Sequence, residues 1–278
     1  MTVEPRAVPL ARYVEQLMGM PVSLALRGRH VDDDAAHHAW QRCLEILRGV
    51  DAMFSTYRED SFVSRLDRGE VTVDDAPAEV REVLDLGERA RRDSGGAFDV
   101  RRPAGDGTTR LDTDGVVKGW AVQRASAAFA ILTDTDYCLS AGGDMVCHVA
   151  DDRRPAWRIG IEDPHDPSRL AATVEVRRGA VATSGHAHRG HHVVDARTGA
   201  VPTGVASVTV LADDLTWADL DATAAYALGP DALTWLRGRA GRRGVVVWED
   251  GRSEVFGDPL SSTRPRRSSE VEAGDPAQ

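Results

Sequence analysis

Val22, Leu24 and Leu26 alternate with Ser23 and Ala25, the period of a strand with one face toward a core. Over 35–50 the period lengthens, and Trp40, Leu44 and Leu47 recur at helical spacing. Phe54-Ser55-Thr56-Tyr57 reads as a short strand after it. Helical spacing returns over 80–90 and again over 118–132, where Thr133-Asp134 ends it. Short apolar runs at 137–140, 145–149, 157–161 and 172–176 predict strands, and Ala182-Thr183-Ser184-Gly185 ends another. The segment 205–211 is the clearest strand, and 216–228 is a helix closed by Gly229-Pro230. A further helix at 231–238 and a late strand at 244–248 complete the pattern. Strands and helices fall in unequal clusters without βαβ alternation, which predicts an α+β fold rather than a doubly wound sheet.

The pattern fades at both ends. Residues 1–12 read as a flexible leader, 13–257 as one α+β domain and 258–278 as a disordered tail of Ser, Pro, Arg and Glu. A net charge of −10 without a basic face argues against a nucleic-acid partner. No apolar run approaches the length of a membrane span, and the first ten residues lack the apolar stretch of a signal peptide. The three cysteines, Cys43, Cys138 and Cys147, lack metal-ligand spacing. They read as buried thiols of a cytoplasmic protein.

One composition count changes the picture. Of 34 basic residues, 33 are arginine, and the single lysine is Lys118. Arg replaces Lys readily on a surface but not where a compact ammonium must fit. Gly115 and Gly119 flank Lys118, and a helical pattern follows, which suggests a glycine-rich turn feeding a helix, a common anion site.

Other candidate chemistry is scattered. Ser140-Ala141-Gly142-Gly143-Asp144-Met145 joins two strands, with glycines that admit a close ligand and an acid that could accept a ligand hydrogen bond. His186, His188, His191 and His192 crowd the segment after Ser184-Gly185, a histidine density that suggests zinc or else a surface turn. His192-Val193-Val194-Asp195 reads as a strand with His192 at its start, where it could serve as an acid–base group, and Asp195 at its end, capping the turn that follows. Asp219 and Thr223 stand four residues apart on one helix face, hard-oxygen donors suited to Mg²⁺. An acid near a helix start is also favoured by the helix dipole alone.

In order, these motifs resemble the ApbE family of FAD:protein FMN transferases. The series begins with Met18-Gly19-Met20-Pro21, Ser55-Thr56-Tyr57 and Gly96-Ala97-Phe98-Asp99, then 111–119 and Ser140-Ala141-Gly142-Gly143-Asp144. It continues with 157–164, Ala182-Thr183-Ser184-Gly185, 192–199 and 218–223. The resemblance implies a magnesium-dependent enzyme that splits FAD and transfers FMN through a phosphoester to a Thr or Ser hydroxyl of an acceptor protein. Alternatives on the same fold are hydrolysis of FAD to FMN and AMP, or flavin binding without catalysis. The resemblance assigns Asp219, Thr223 and the Gly115 carbonyl to the metal. Met18, Tyr57, Gly115, Lys118, Ala141, Gly142, Gly143, Asp144, Ser184 and His192 fall to the cofactor site, and His192, Asp219 and Lys118 to catalysis. Tyr57 would pack on the flavin or adenine, in a cleft between two halves of the fold. Three departures stand out: a short segment between Asp99 and Leu111, Asp114 in place of a glycine, and Ser140 in place of an asparagine.

Overall fold

An antiparallel sheet of eight strands forms the middle layer of the computed structural model, which describes residues 9–103, 107–185 and 193–258. Its strands are β1 (Leu10–Leu17), β2 (Met20–Gly28), β5 (Thr135–Ala141), β6 (Asp144–His148), β9 (Arg178–Gly185), β10 (Val205–Ala212), β11 (Arg243–Trp248) and β12 (Ser253–Phe256), in that spatial order. Two small hairpins lie outside it: β3 (Arg101–Pro103) with β4 (Thr109–Leu111), and β7 (Trp157–Asp163) with β8 (Asp166–Val176).

Helices α1 (Asp34–Phe54), α2 (Phe62–Asp67), α3 (Ala78–Asp93), α4 (Asp114–Ser126), α5 (Leu215–Leu228) and α6 (Ala232–Arg237) cover one face. The α1 stripe of Trp40, Cys43, Leu44, Leu47 and Val50 is buried, as its spacing predicts, and Asp33 caps the helix by accepting from the Ala36 N–H. The β7–β8 hairpin covers part of the other face over a second apolar cluster of Ile159, Ile161, Val174 and Val176. This explains why every residue of 205–211 is buried, Ser207 and Thr209 included. Val208 and Val210 enter the helix-side core, whereas Ala206 and Leu211 enter the hairpin-side cluster.

Helices α4 and α5 cross closely because Gly119 has no side chain. A Cβ there would lie 2.7 Å from Asp219 Cβ and 2.8 Å from the Leu215 carbonyl oxygen. That crossing sets Lys118 beside Asp219.

Several expectations need correction. β1 starts at Leu10, inside the stretch read as a leader; residues 1–8 and 259–278 lie outside the described residues. Phe54-Ser55-Thr56-Tyr57 is no strand: α1 runs to Phe54, and Ser55 caps its end through an N–H to the Asp51 carbonyl. Helix α4 begins at Asp114, so Gly115 and Gly119 are helical and frame no turn. Their requirement is close packing rather than special dihedrals. Val193 and Val194 form no strand, and Asp195 makes only an isolated bridge to Ala200.

Candidate active site

A cleft of about 900 Å³ opens where α4 and α5 meet the ends of β6, β7, β9 and β10. Lys118, Gly115, Asp219 and Thr223 line it from the helices. Gly142, Gly143 and Met145 line it from the β5–β6 hairpin, and Thr183, Ser184 and Gly185 from β9. Met18 with Gly19 and the exposed Tyr57 stand at its wall, with Val193 and Val194. Met18 holds a left-handed backbone, φ 53°, in the tight β1–β2 turn.

The Lys118 ammonium lies 2.5 Å from Asp144 Oδ2 and 3.1 Å from Asp219 Oδ1. Both carboxylates are buried. Asp219 Oδ2 accepts the Gly119 N–H at 3.0 Å, and Asp144 Oδ1 accepts the Thr183 N–H at 3.0 Å. Ser184 Oγ and Thr223 Oγ1 share a hydrogen bond of 3.0 Å. Four motifs far apart in sequence are thereby joined by direct contacts. Burial pushes the Asp219 carboxyl up to about 7; Lys118 opposes the shift and Asp144 adds to it.

The helix-dipole explanation of Asp219 fails on position. Asp214 caps α5 by accepting from the Trp217 N–H, and Asp219 sits a turn further in, facing the cleft. Asp144, expected at the cofactor, is not among the residues that line the cleft; it is buried behind Lys118, in contact with its ammonium. Ala141 belongs to the helix-side core and lines no part of the cleft. His192 and the other histidines of 186–192 lie outside the described residues. Asp195 caps its turn as expected, accepting from the Arg197 N–H and pairing with the Arg197 guanidinium.

Sequence reasoning missed part of the wall. Ala97, Phe98 and Asp99 line the cleft, and the Gly-Ala-Phe-Asp motif marks them without giving them a role. Phe98 lies against Gly115: a Cβ on that glycine would come within 2.9 Å of the ring. Arg102, paired with Asp112, reaches the cleft from the short β3–β4 hairpin. Ser207 also lines it, with a buried Oγ that has no hydrogen-bond partner among the described residues; nothing in the sequence singles it out.

The sequence pattern of the ApbE family matches residues 18–104 and 102–246, most of the chain. The chain belongs to the ApbE family. It is 32% identical over 178 residues to the FAD:protein FMN transferase of Rhodobacter capsulatus, across 60% of this chain and 33% of that protein. It is 35% identical over 162 residues to the enzyme of the same name from Treponema pallidum, across 51% of this chain and 45% of that one. The match thus spans less than half the length of either curated relative. Solved ApbE structures share the fold. The Thermotoga maritima protein superposes with a TM-score of 0.76 at 21% identity, covering 89% of this chain and 97% of that one. The apo Pseudomonas stutzeri flavinyl transferase ApbE gives 0.74 at 23%, covering 91% and 96%. The α+β architecture is therefore the ApbE fold.

Proposed function

We propose that this ApbE-family chain catalyses magnesium-dependent transfer of FMN from FAD to a Thr or Ser hydroxyl of an acceptor protein, as an FAD:protein FMN transferase. The observation that carries the reading is the Lys118 ammonium held between Asp144 and Asp219 at the wall of a cleft of about 900 Å³. Dinucleotides need a cleft of that order. The names of the curated relatives support the same substrate and reaction class.

The residues present fit a magnesium ion. Asp219, Thr223 and the Gly115 carbonyl offer hard oxygens, the donor type Mg²⁺ prefers. Gly115 and Thr223 are neighbours: a Cβ on the glycine would lie 3.9 Å from Thr223 Cγ2. Asp219 is a buried carboxyl whose charged form is disfavoured by burial, a penalty that a divalent cation would offset. When bound there, Mg²⁺ would supply charge neutralisation to the pyrophosphate oxygens.

The protein's own groups do the rest. Lys118 places a point charge beside the position of the phosphates, where charge develops as the phosphoanhydride bond breaks. Asp144 holds that ammonium in place. Tyr57 and Phe98 offer aromatic faces to the flavin or adenine rings. His192 is assigned the proton of the incoming hydroxyl on sequence grounds.

Incubating the purified chain with FAD and Mg²⁺, with and without Thr- or Ser-containing acceptor peptides, tests the reading. Covalent peptide-bound flavin released together with AMP supports transfer. AMP and free FMN alone, unchanged by any acceptor, would support hydrolysis instead, and bound flavin without AMP would reduce the chain to a binding protein.

A further inference from the structure

Cys138 on β5 and Cys147 on β6 are direct cross-strand partners, and their Sγ atoms lie 3.6 Å apart. Opposed residues on antiparallel strands keep their Cα atoms about 4.5–5.5 Å apart. A disulfide spans about 4.4–6.8 Å between Cα atoms. Direct pairing on antiparallel strands therefore puts this backbone within the range that a disulfide can span.

The two sulfurs are unequal. Cys147 is buried in the hairpin-side cluster, whereas Cys138 packs at its margin and is only partly buried. The Cys147 thiol hydrogen-bonds to Cys138, which favours thiolate on Cys138, while the same bond, and then burial, push Cys147 up. Cys43 provides the contrast. It is fully buried in the α1 stripe, and burial alone pushes its thiol up to about 12.

We propose that Cys138 and Cys147 are a dithiol–disulfide couple, a modification site on the hairpin that carries Gly142, Gly143 and Asp144, and that it reacts with small hydroperoxides. The Cys138 thiolate attacks the terminal peroxide oxygen; the O–O bond breaks, and an alcohol, or water from hydrogen peroxide, leaves. Cys138 becomes a sulfenic acid. The Cys147 sulfur then attacks Cys138 Sγ, the S–O bond breaks, and water leaves with the Cys147 proton. Two thiols are oxidised by two electrons and one peroxide is reduced. The product bond ties β5 to β6 three residues from Asp144 on the β6 side.

The test uses the native, fully reduced chain and hydrogen peroxide, followed by quenching, denaturation and thiol counting. Of the three thiols, two should disappear and return with dithiothreitol, leaving Cys43 reactive in the denatured protein. Peptide mapping should find the crosslink between the segments holding residues 138 and 147. In a Cys147→Ser variant the sulfenic acid should persist on Cys138 and be trapped by a dione reagent. Three remaining thiols after native-state oxidation, or a crosslink through Cys43, would overturn the proposal. So would a pair that oxidises only in denaturant. The readout involves no flavin, so it stands apart from the test of flavin transfer.

Discussion

Lys118 and Asp144 are joined by a contact of 2.5 Å, and the Asp144 side chain is nearly sealed from solvent. The arrangement gives the only lysine, in a chain of 33 arginines, a confined place between two acids. Its ammonium must fit between Asp144 and Asp219, with the α4–α5 crossing pressed close at Gly119. A guanidinium is planar and larger, and cannot occupy the same point between two acids. Lys118→Arg is expected to lower FAD turnover at least about tenfold, equivalent to ~1.4 kcal/mol of transition-state stabilisation. Steady-state AMP release at saturating FAD and Mg²⁺ checks this; equal rates would make the lysine an accident of composition.

The metal assignment predicts that Asp219→Asn combined with Thr223→Ala removes Mg²⁺-dependent turnover while the chain stays folded. A second readout is independent of catalysis. Mg²⁺ should raise the melting temperature of the wild-type chain, since a ligand that binds only the folded state stabilises it. The double variant should lose that shift. A preserved Mg²⁺ shift would place the ion elsewhere.

How much of this was legible in the sequence depends on what each signal encodes. Period and apolar runs located α1, β10 and α5, because burial of a stripe or a whole strand is written in side-chain type. Glycine was ambiguous. Gly115 and Gly119 looked like a turn, yet they lie inside α4 and make room for Phe98 and for α5. Long-range packing selects a helical glycine without leaving a local mark. The motif order gathered Lys118, Asp219, Thr223 and Ser184 into one cleft. It could not separate the residues that line the cleft from one buried behind them, as Asp144 is. Ser207 had no signal at all, since a lone serine in an apolar strand reads as filler.

The two glycine environments predict opposite responses to alanine. Gly119→Ala would drive a Cβ against Asp219 and the Leu215 carbonyl, and overpacking costs about 1–3 kcal/mol. Gly49 is exposed on α1, and a methyl group there would meet nothing within 4 Å. Gly49→Ala should therefore stabilise by up to about 1 kcal/mol through helix propensity. Urea titrations of the two variants compare these signs directly.

His148 supplies the pH prediction. It stacks on Tyr137 with ring centroids 5.3 Å apart and an interplanar angle of 18°. Burial, then the nearby Arg178, lower its pKa from 6.5, and Asp136 opposes them weakly. In the window between the lowered folded value and 6.5, the unfolded chain binds a proton that the folded chain does not. Stability from this group is therefore complete above that unfolded value and is lost as pH falls through the window. His148→Gln removes the titration and keeps a neutral polar side chain. Between about pH 8 and about pH 5, the wild type should lose more unfolding free energy than this variant, whose remaining loss reports the carboxylates. Parallel curves for the two proteins would mean that the stacked imidazole takes up its proton as readily folded as unfolded.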